Sequence, residues 1–257
     1  MNILITGASG LVGSAVIPVL ITAGHQVIRL VRSQPKLVDE LQWDPLTGIR
    51  DLARLEGLDA VIHLAGENIA AGRWTEEQKR RIRDSRVTGT QTLCTALMQL
   101  ALPPKVLISA SAMGYYGDRG EELLHEESLP GRGFLPEVCM AWEKATKSAE
   151  KIGIRVVLLR IGVVLSSTGG ALAKMLLPFK LGLGGVVGSG QQYMSWIALE
   201  DVIGAISHAL TTEALWGPVN CVAPNPVTNR EFTKTLGHVL NRPTLLPVPA
   251  FALRLVL

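Results

Sequence analysis

Apolar positions along this chain repeat in a fixed order: a short continuous run, a turn of small residues, then a longer stretch with helical spacing. Continuous apolar runs of about four to eight residues read as strands buried on both faces, the mark of a parallel sheet covered by helices. Such runs lie at Asn2–Thr6, Gln26–Val31, Asp59–Leu64, Lys105–Ser111 and Arg155–Ile161. Shorter ones lie around Leu41 and Trp43, at Trp196-Ile197, and at 219–223. Between them the spacing predicts helices over Leu11–Ala23, Glu76–Leu100, Leu135–Lys151, Ala171–Leu181 and Leu199–Leu210, with another opening after Thr228. Thr75 with Gln78, and Thr228 with Glu231, have the spacing of capping boxes. The class expected is α/β, built on a doubly wound parallel sheet. The βα rhythm weakens after about residue 170, and no repeat or separable linker interrupts it.

The first strand runs into Gly7, Gly10 and Gly13, spaced by two residues each and followed by a helix and a second strand. In that frame a glycine triplet reads as a dinucleotide turn. Glycine lets the backbone approach a pyrophosphate, and free N–H groups at the helix start receive its charge. Ser9, Leu11 and Val12 complete the turn. The second strand ends at Val31-Arg32-Ser33, where an NAD-binding protein usually places a carboxylate for the ribose 2′-hydroxyl. Here there is arginine, with Arg29 nearby and no carboxylate before Asp39. A guanidinium fork suits a 2′-phosphate, so NADP (NADPH) is expected over NAD. The third strand ends in Leu64-Ala65-Gly66 followed by Glu67 and Asn68, the expected second wall of the cleft. Arg86, within the following helix, either turns back toward this cleft or faces solvent.

Composition narrows the picture. At 257 residues and 47% hydrophobic, the chain is long enough for one large α/β domain with a smaller lobe. A formal charge of +3 with scattered basic residues gives no reason to expect nucleic acid, and the run at 79–86 is broken by Asp84. Cys94, Cys139 and Cys221 lack metal-ligand spacing and read as reduced thiols. Met1 leads straight into a strand, and no apolar run approaches the roughly 18 residues a membrane span needs. The expectation is a cytoplasmic protein with no membrane partner. The chain closes in the apolar FALRLVL (251–257), which suggests that further residues follow.

The fourth strand ends in hydroxyls and leads into Met113-Gly114-Tyr115-Tyr116-Gly117-Asp118, the place in the sequence best suited to chemistry. Ser111, Tyr115 and Tyr116 are the catalytic candidates, with aromatic packing as the alternative for both tyrosines. Cys139 reads as a small buried helix residue. The glycine-rich run 182–190 is either a lid over a ligand or a long surface loop.

TGASGLVG, HLAG and SAS…YYG together resemble the extended short-chain dehydrogenase/reductases. AGENI, RW…SR, GYYGD, RIGVVL and GSGQQ resemble, more narrowly, the atypical "epimerase family" subgroup, over essentially the whole chain. The resemblance implies a Rossmann domain of seven or so parallel strands with a small C-terminal substrate lobe. The division would be 1–165 for the cofactor domain, its sheet completed by parts of 195–225, and 166–257 mainly for the lobe. It implies NADP held by the residues above and by Arg86, Ser109, Gly162 and Val163. A small-molecule substrate would meet Glu67, Asn68 and Glu143, and a homodimer follows only by analogy. Typical members carry a serine at the strand end and Tyr-x-x-x-Lys on the next helix; here Cys139 and Glu143 stand at the Tyr and Lys positions. A carboxylate there disfavours phenolate, where a cation would favour it. An NADP-dependent oxidoreductase or epimerase with an altered catalytic motif therefore competes with a non-catalytic NADP(H)-binding sensor or scaffold.

Overall fold

The structure, a computed structural model, describes residues 1–246. The amino-terminal part alternates β1 (Asn2–Thr6), α1 (Leu11–Thr22), β2 (Gln26–Val31), β3 (Glu40–Asp44), β4 (Gly48–Ile49), β5 (Ala60–His63) and α2 (Glu76–Leu97). It continues through β6 (Val106–Ala112), α3 (Phe134–Ala145), α4 (Lys147–Lys151), β7 (Arg155–Ile161) and β8 (Val163–Leu165). The remainder is α5 (Gly170–Lys180), β9 (Tyr193–Met194), β10 (Trp196–Ala198), α6 (Leu199–Thr211), β11 (Gly217–Cys221), β12 (Val227–Thr228) and α7 (Asn229–Val239).

Eight strands form one sheet in the order β11-β7-β6-β5-β1-β2-β3-β4, parallel throughout except for β4, which runs antiparallel on β3. The expected Rossmann sheet is thus present, with its order reversing at β1, where β2 lies on one side and β5 on the other. Brought together at this switch point are the carboxyl ends of β1, β5 and β6, the place where such sheets receive ligands. Alternation along the strands divides the core. Ile3 and Ile5 pack with Val16, Leu20, Val202 and Ile206 of α1 and α6; Leu4 packs with Leu93, Leu97, Ala149 and Val156 on the opposite face. Each burial of a large aliphatic side chain is worth about 1.5–3 kcal/mol, so both layers are held by the same apolar strands.

Two expectations are corrected. The helix predicted over Leu135–Lys151 breaks at Thr146, whose N–H and hydroxyl both donate to Glu143 O (3.2 and 2.8 Å), ending α3 and starting α4. The helix predicted to Leu100 ends at Leu97, and Glu56 accepts the N–H groups of Ala101 and Leu102 (2.9 Å each) beyond it. Beyond the main sheet, β8 pairs with β10 and β9 with β12. The segment FALRLVL lies outside the described residues. No helix among the described residues is long and apolar enough to cross a membrane.

Candidate cofactor cleft and reaction site

Gly7 has φ +71, and a Cβ there would stand 2.7 Å from the carbonyl of Leu64. A Cβ on Gly13 would come within 2.2 Å of Gly7 O, so α1 seats on the turn only through glycine. Gly10 and Ser9 are exposed, and Gly10 N–H donates back to Gly7 O at 2.9 Å, leaving the open side of the turn at the start of α1. At the end of β2 the two arginines separate. The Arg29 guanidinium pairs with Asp39 at 3.0 Å. Arg32 is exposed and has no ion pair among the described residues; its carbonyl accepts from Gln42 Nε2 at 3.4 Å.

The second wall is fixed from beneath. Thr6 Oγ1 accepts the N–H groups of Leu64 and Ala65 at 3.1 Å each, so its proton goes to His63 Nδ1 at 2.7 Å. That assigns the proton of His63 to Nε2, which donates to Thr90 Oγ1 at 2.9 Å. His63 is wholly buried, and desolvation drives its pKa down to about 4. Gly66 follows, and Arg86 does turn back: its Nη1 donates to Glu67 O (3.0 Å) and Ile82 O (3.1 Å). Glu67 N–H donates to Ser85 Oγ at 2.9 Å, and Asn68 Oδ1 accepts from Ala70 N at 2.9 Å.

At the end of β6, Ser111 Oγ donates to Glu143 Oε1 at 2.6 Å. The carboxylate is gripped from behind by Arg160 of β7, Nε to Oε1 and Nη2 to Oε2, each at 2.9 Å. Arg160 Nη1 donates to Tyr116 OH (2.8 Å) and Glu126 O (2.9 Å), and its guanidinium lies 3.6 Å from the centre of the Tyr115 ring. Tyr116 OH in turn donates to Asn220 Oδ1 at 2.7 Å. Tyr116 is 1% exposed, and burial raises its phenol pKa despite the neighbouring cation. Its one proton and a lone pair are thus engaged inside the protein, and Tyr115 supports Arg160 with its ring. Of the three catalytic candidates, Ser111 is joined to Glu143, and the tyrosines brace Arg160.

Other expected contacts fall as follows. Ser109 is fully buried within β6, its hydroxyl directed at Ala110 O (3.3 Å), which withdraws its side chain from the cleft. Gly162 is a crossing point: a Cβ there would meet Ser195 O at 2.8 Å, and Val163 N–H donates to that same oxygen. The Cys139 thiol is buried, and desolvation raises its pKa to about 11, the state of an unreactive side chain. The glycine-rich run is pinned down along its length. Val187 N–H donates to Asn229 Oδ1 (2.8 Å), Arg230 Nη2 to Ser189 O (2.8 Å), and Gly184, Gly185 and Gly190 are buried. The run 182–190 forms no named helix or strand; it is a loop, exposed at Leu183, Gly188 and Ser189 and buried at Gly184, Gly185 and Gly190.

A model of the NAD dependent epimerase/dehydratase family matches residues 3–220. This chain belongs to that family. The epimerase family protein Mb2239 of Mycobacterium bovis is 47% identical over 250 residues, which is 97% of this chain and 82% of that protein. The crystal structure of human epimerase family protein SDR39U1 with NADPH matches with a TM-score of 0.89 at 34% identity, covering 100% of this chain and 85% of that one. A nucleoside-diphosphate sugar epimerase from Corynebacterium glutamicum matches at 0.82 and 41% identity, over 99% of this chain and 54% of that one. UDP-glucuronic acid 4-epimerase from Bacillus cereus, at 19% identity and a TM-score of 0.81, shares the fold.

Within this epimerase/dehydratase chain, the sequence reading missed Arg160, Asn220, Glu126 and the pair Thr6–His63. Two of them carry a legible signal. Arg160 interrupts the apolar strand RVVLLRI, and His63 closes AVIH; a charge or an imidazole in a fully buried strand needs a specific partner. Asn220 and Glu126 are brought in only by the fold, 104 and 10 positions from Tyr116.

Proposed function

We propose that this chain is an NADP(H)-binding oxidoreductase or epimerase that acts on a small molecule without the usual Tyr-x-x-x-Lys. The observation that carries the cofactor choice is the division of labour at the end of β2: Arg29 is spent on Asp39, and Arg32 is exposed and unpaired among the described residues. The glycine cradle fits the group, since Gly7 and Gly13 admit no Cβ and Gly10 leaves the start of α1 open. Gly7, Gly10, Gly13, Leu64, Ala65 and Gly66 would hold the dinucleotide, and Arg32 its 2′-phosphate. Bound, NADP(H) would supply a hydride donor or acceptor. The likeness to an NADPH-containing relative supports the same reading.

In this reading Ser111 meets the substrate, its hydroxyl donating to Glu143, which Arg160 holds by a two-point ion pair. Arg160 therefore supplies a cation beside the reaction site from β7, where typical members supply one from the following helix. Titration should give NADPH about tenfold or greater preference over NADH, or about 1.4 kcal/mol, and Arg32→Ala should abolish it. Equal affinity of the unaltered protein for both would sink the assignment.

A second reading, a non-catalytic NADP(H)-binding protein, is favoured by one observation: both oxygens of Glu143 are occupied by Arg160. Screening ketones, aldehydes and sugar nucleotides for NADPH oxidation separates the two. Turnover that disappears in Ser111→Ala supports the enzyme. Binding without turnover across the panel supports the second reading.

A further inference from the structure

The side-on edge of an arginine, Nε with Nη2, matches two oxygens of a carboxylate or phosphate. Among the described residues, two arginines place that edge on a carboxylate, and Arg81 places it on the Gln78 side-chain oxygen. Arg160 places it on Glu143 at 2.9 and 2.9 Å, and Arg119 on Glu122 at 2.7 and 2.6 Å. On Arg86 the same edge has no acceptor among the described residues, because both hydrogen bonds of its guanidinium leave from Nη1.

The guanidinium is held in place as a plate. Its Cζ lies 5.2 Å from the centre of the Trp142 ring, and a Cβ on Gly66 would crowd it at 3.2 Å. The Trp142 indole N–H is itself buried and unpaired among the described residues. Burial lowers the Arg86 pKa, with Cys139 and Glu67 nearby opposing the shift, but no carboxylate reaches the fork. A bound oxyanion would give the unused fork two charge-assisted hydrogen bonds.

We infer that the Nε–Nη2 edge of Arg86 is the docking point for an oxyanion of the substrate, a carboxylate or phosphate. This rests on the reading of the cleft as the reaction site, and it moves Arg86 from the cofactor's contacts to the substrate's. The dinucleotide's pyrophosphate has its own donors at the start of α1, whereas Arg86 stacks on α3 one residue from Glu143, the partner of Ser111.

The test titrates malonate and inorganic phosphate separately into the protein, with and without saturating NADPH, by calorimetry. Saturable binding of at least one is expected, falling tenfold or more in Arg86→Gln and partly retained in Arg86→Lys, which keeps the charge but loses the fork. Gly66→Ala, which leaves Arg86 in place but crowds it, should also weaken the anion. Melting temperature and circular dichroism confirm that each variant is folded. No saturable anion binding overturns the inference. So does NADPH affinity falling in Arg86→Gln as far as in Arg32→Ala, since the fork then serves the cofactor. Failure of the unaltered protein to bind NADPH would defeat the cofactor reading alone, because the anion arm without NADPH still reports on Arg86.

Discussion

Arg160 is where a single side chain carries most consequence. It is 3% exposed and joins Glu143, Tyr116, Glu126 and the Tyr115 ring. Removing one partner of a buried pair leaves the other charge uncompensated, at a cost of about 3–5 kcal/mol. Arg160→Met should therefore lower stability by that amount in urea unfolding. The double variant Arg160→Met with Glu143→Leu should recover most of the loss, because no buried charge is then left alone. Equal losses in the single and double variants would show that Arg160 acts by packing. The sequence reading had Glu143 as an ill-suited carboxylate in a lysine's place. It becomes intelligible only with a cation 17 positions away folded onto it. In the same way, the sequence pointed to Arg32 by its position at the strand end, and the structure adds that the neighbouring Arg29 is paired with Asp39.

At the scale of elements, local signals were read well where the physics is local. The capping box of α7 forms in full, Thr228 accepting from Glu231 N (3.2 Å) and Glu231 accepting from Thr228 N (2.7 Å). Thr228→Ala should cost about 1 kcal/mol in thermal or urea unfolding. The box proposed for α2 forms by half: Thr75 accepts from Gln78 N, while the Gln78 side chain turns to Asn68 O and Arg81. Tertiary partners outbid the local one. The glycine-rich run shows the same effect on a larger scale, since its composition permits a mobile lid but α7 supplies its hydrogen bonds. Asn229→Ala removes the acceptor of Val187 N–H, so amide exchange over 186–190 should quicken by tenfold or more while α1 is unchanged. Unchanged exchange in the run would mean that its own packing suffices.

For the molecule as a whole, the relay Thr90–His63–Thr6–Leu64 ties α2 and β5 to β1 directly under the cleft. It also sets an acid limit on stability. The folded protein keeps His63 neutral down to about pH 4, whereas the unfolded chain takes up its proton near 6.5. Stability from this group is therefore complete above about pH 6.5 and is lost as pH falls toward 4, on the order of 3 kcal/mol in all. Urea unfolding at stepped pH should show this slope, and His63→Gln should flatten it at a lower overall stability. A slope unchanged in His63→Gln would assign the acid loss to other groups.

The amino-acid sequence alone determined the long buried strands of the main sheet, the order in which helices follow them, the glycine turn and the basic residues at the end of β2. These depend on neighbours a few positions apart, through apolar periodicity, glycine's missing Cβ and the twist of a βαβ unit. Only the tertiary structure decided that Arg29 is paired with Asp39, which carboxylate has a counter-charge, that Tyr116 is held within the protein, and that Arg86 turns back to Glu67 O. Those outcomes depend on pairings between residues such as Ser111 with Glu143 and Tyr116 with Asn220, 32 and 104 positions apart. No local rule specifies them, because the distances that make them strong exist only once the sheet has assembled.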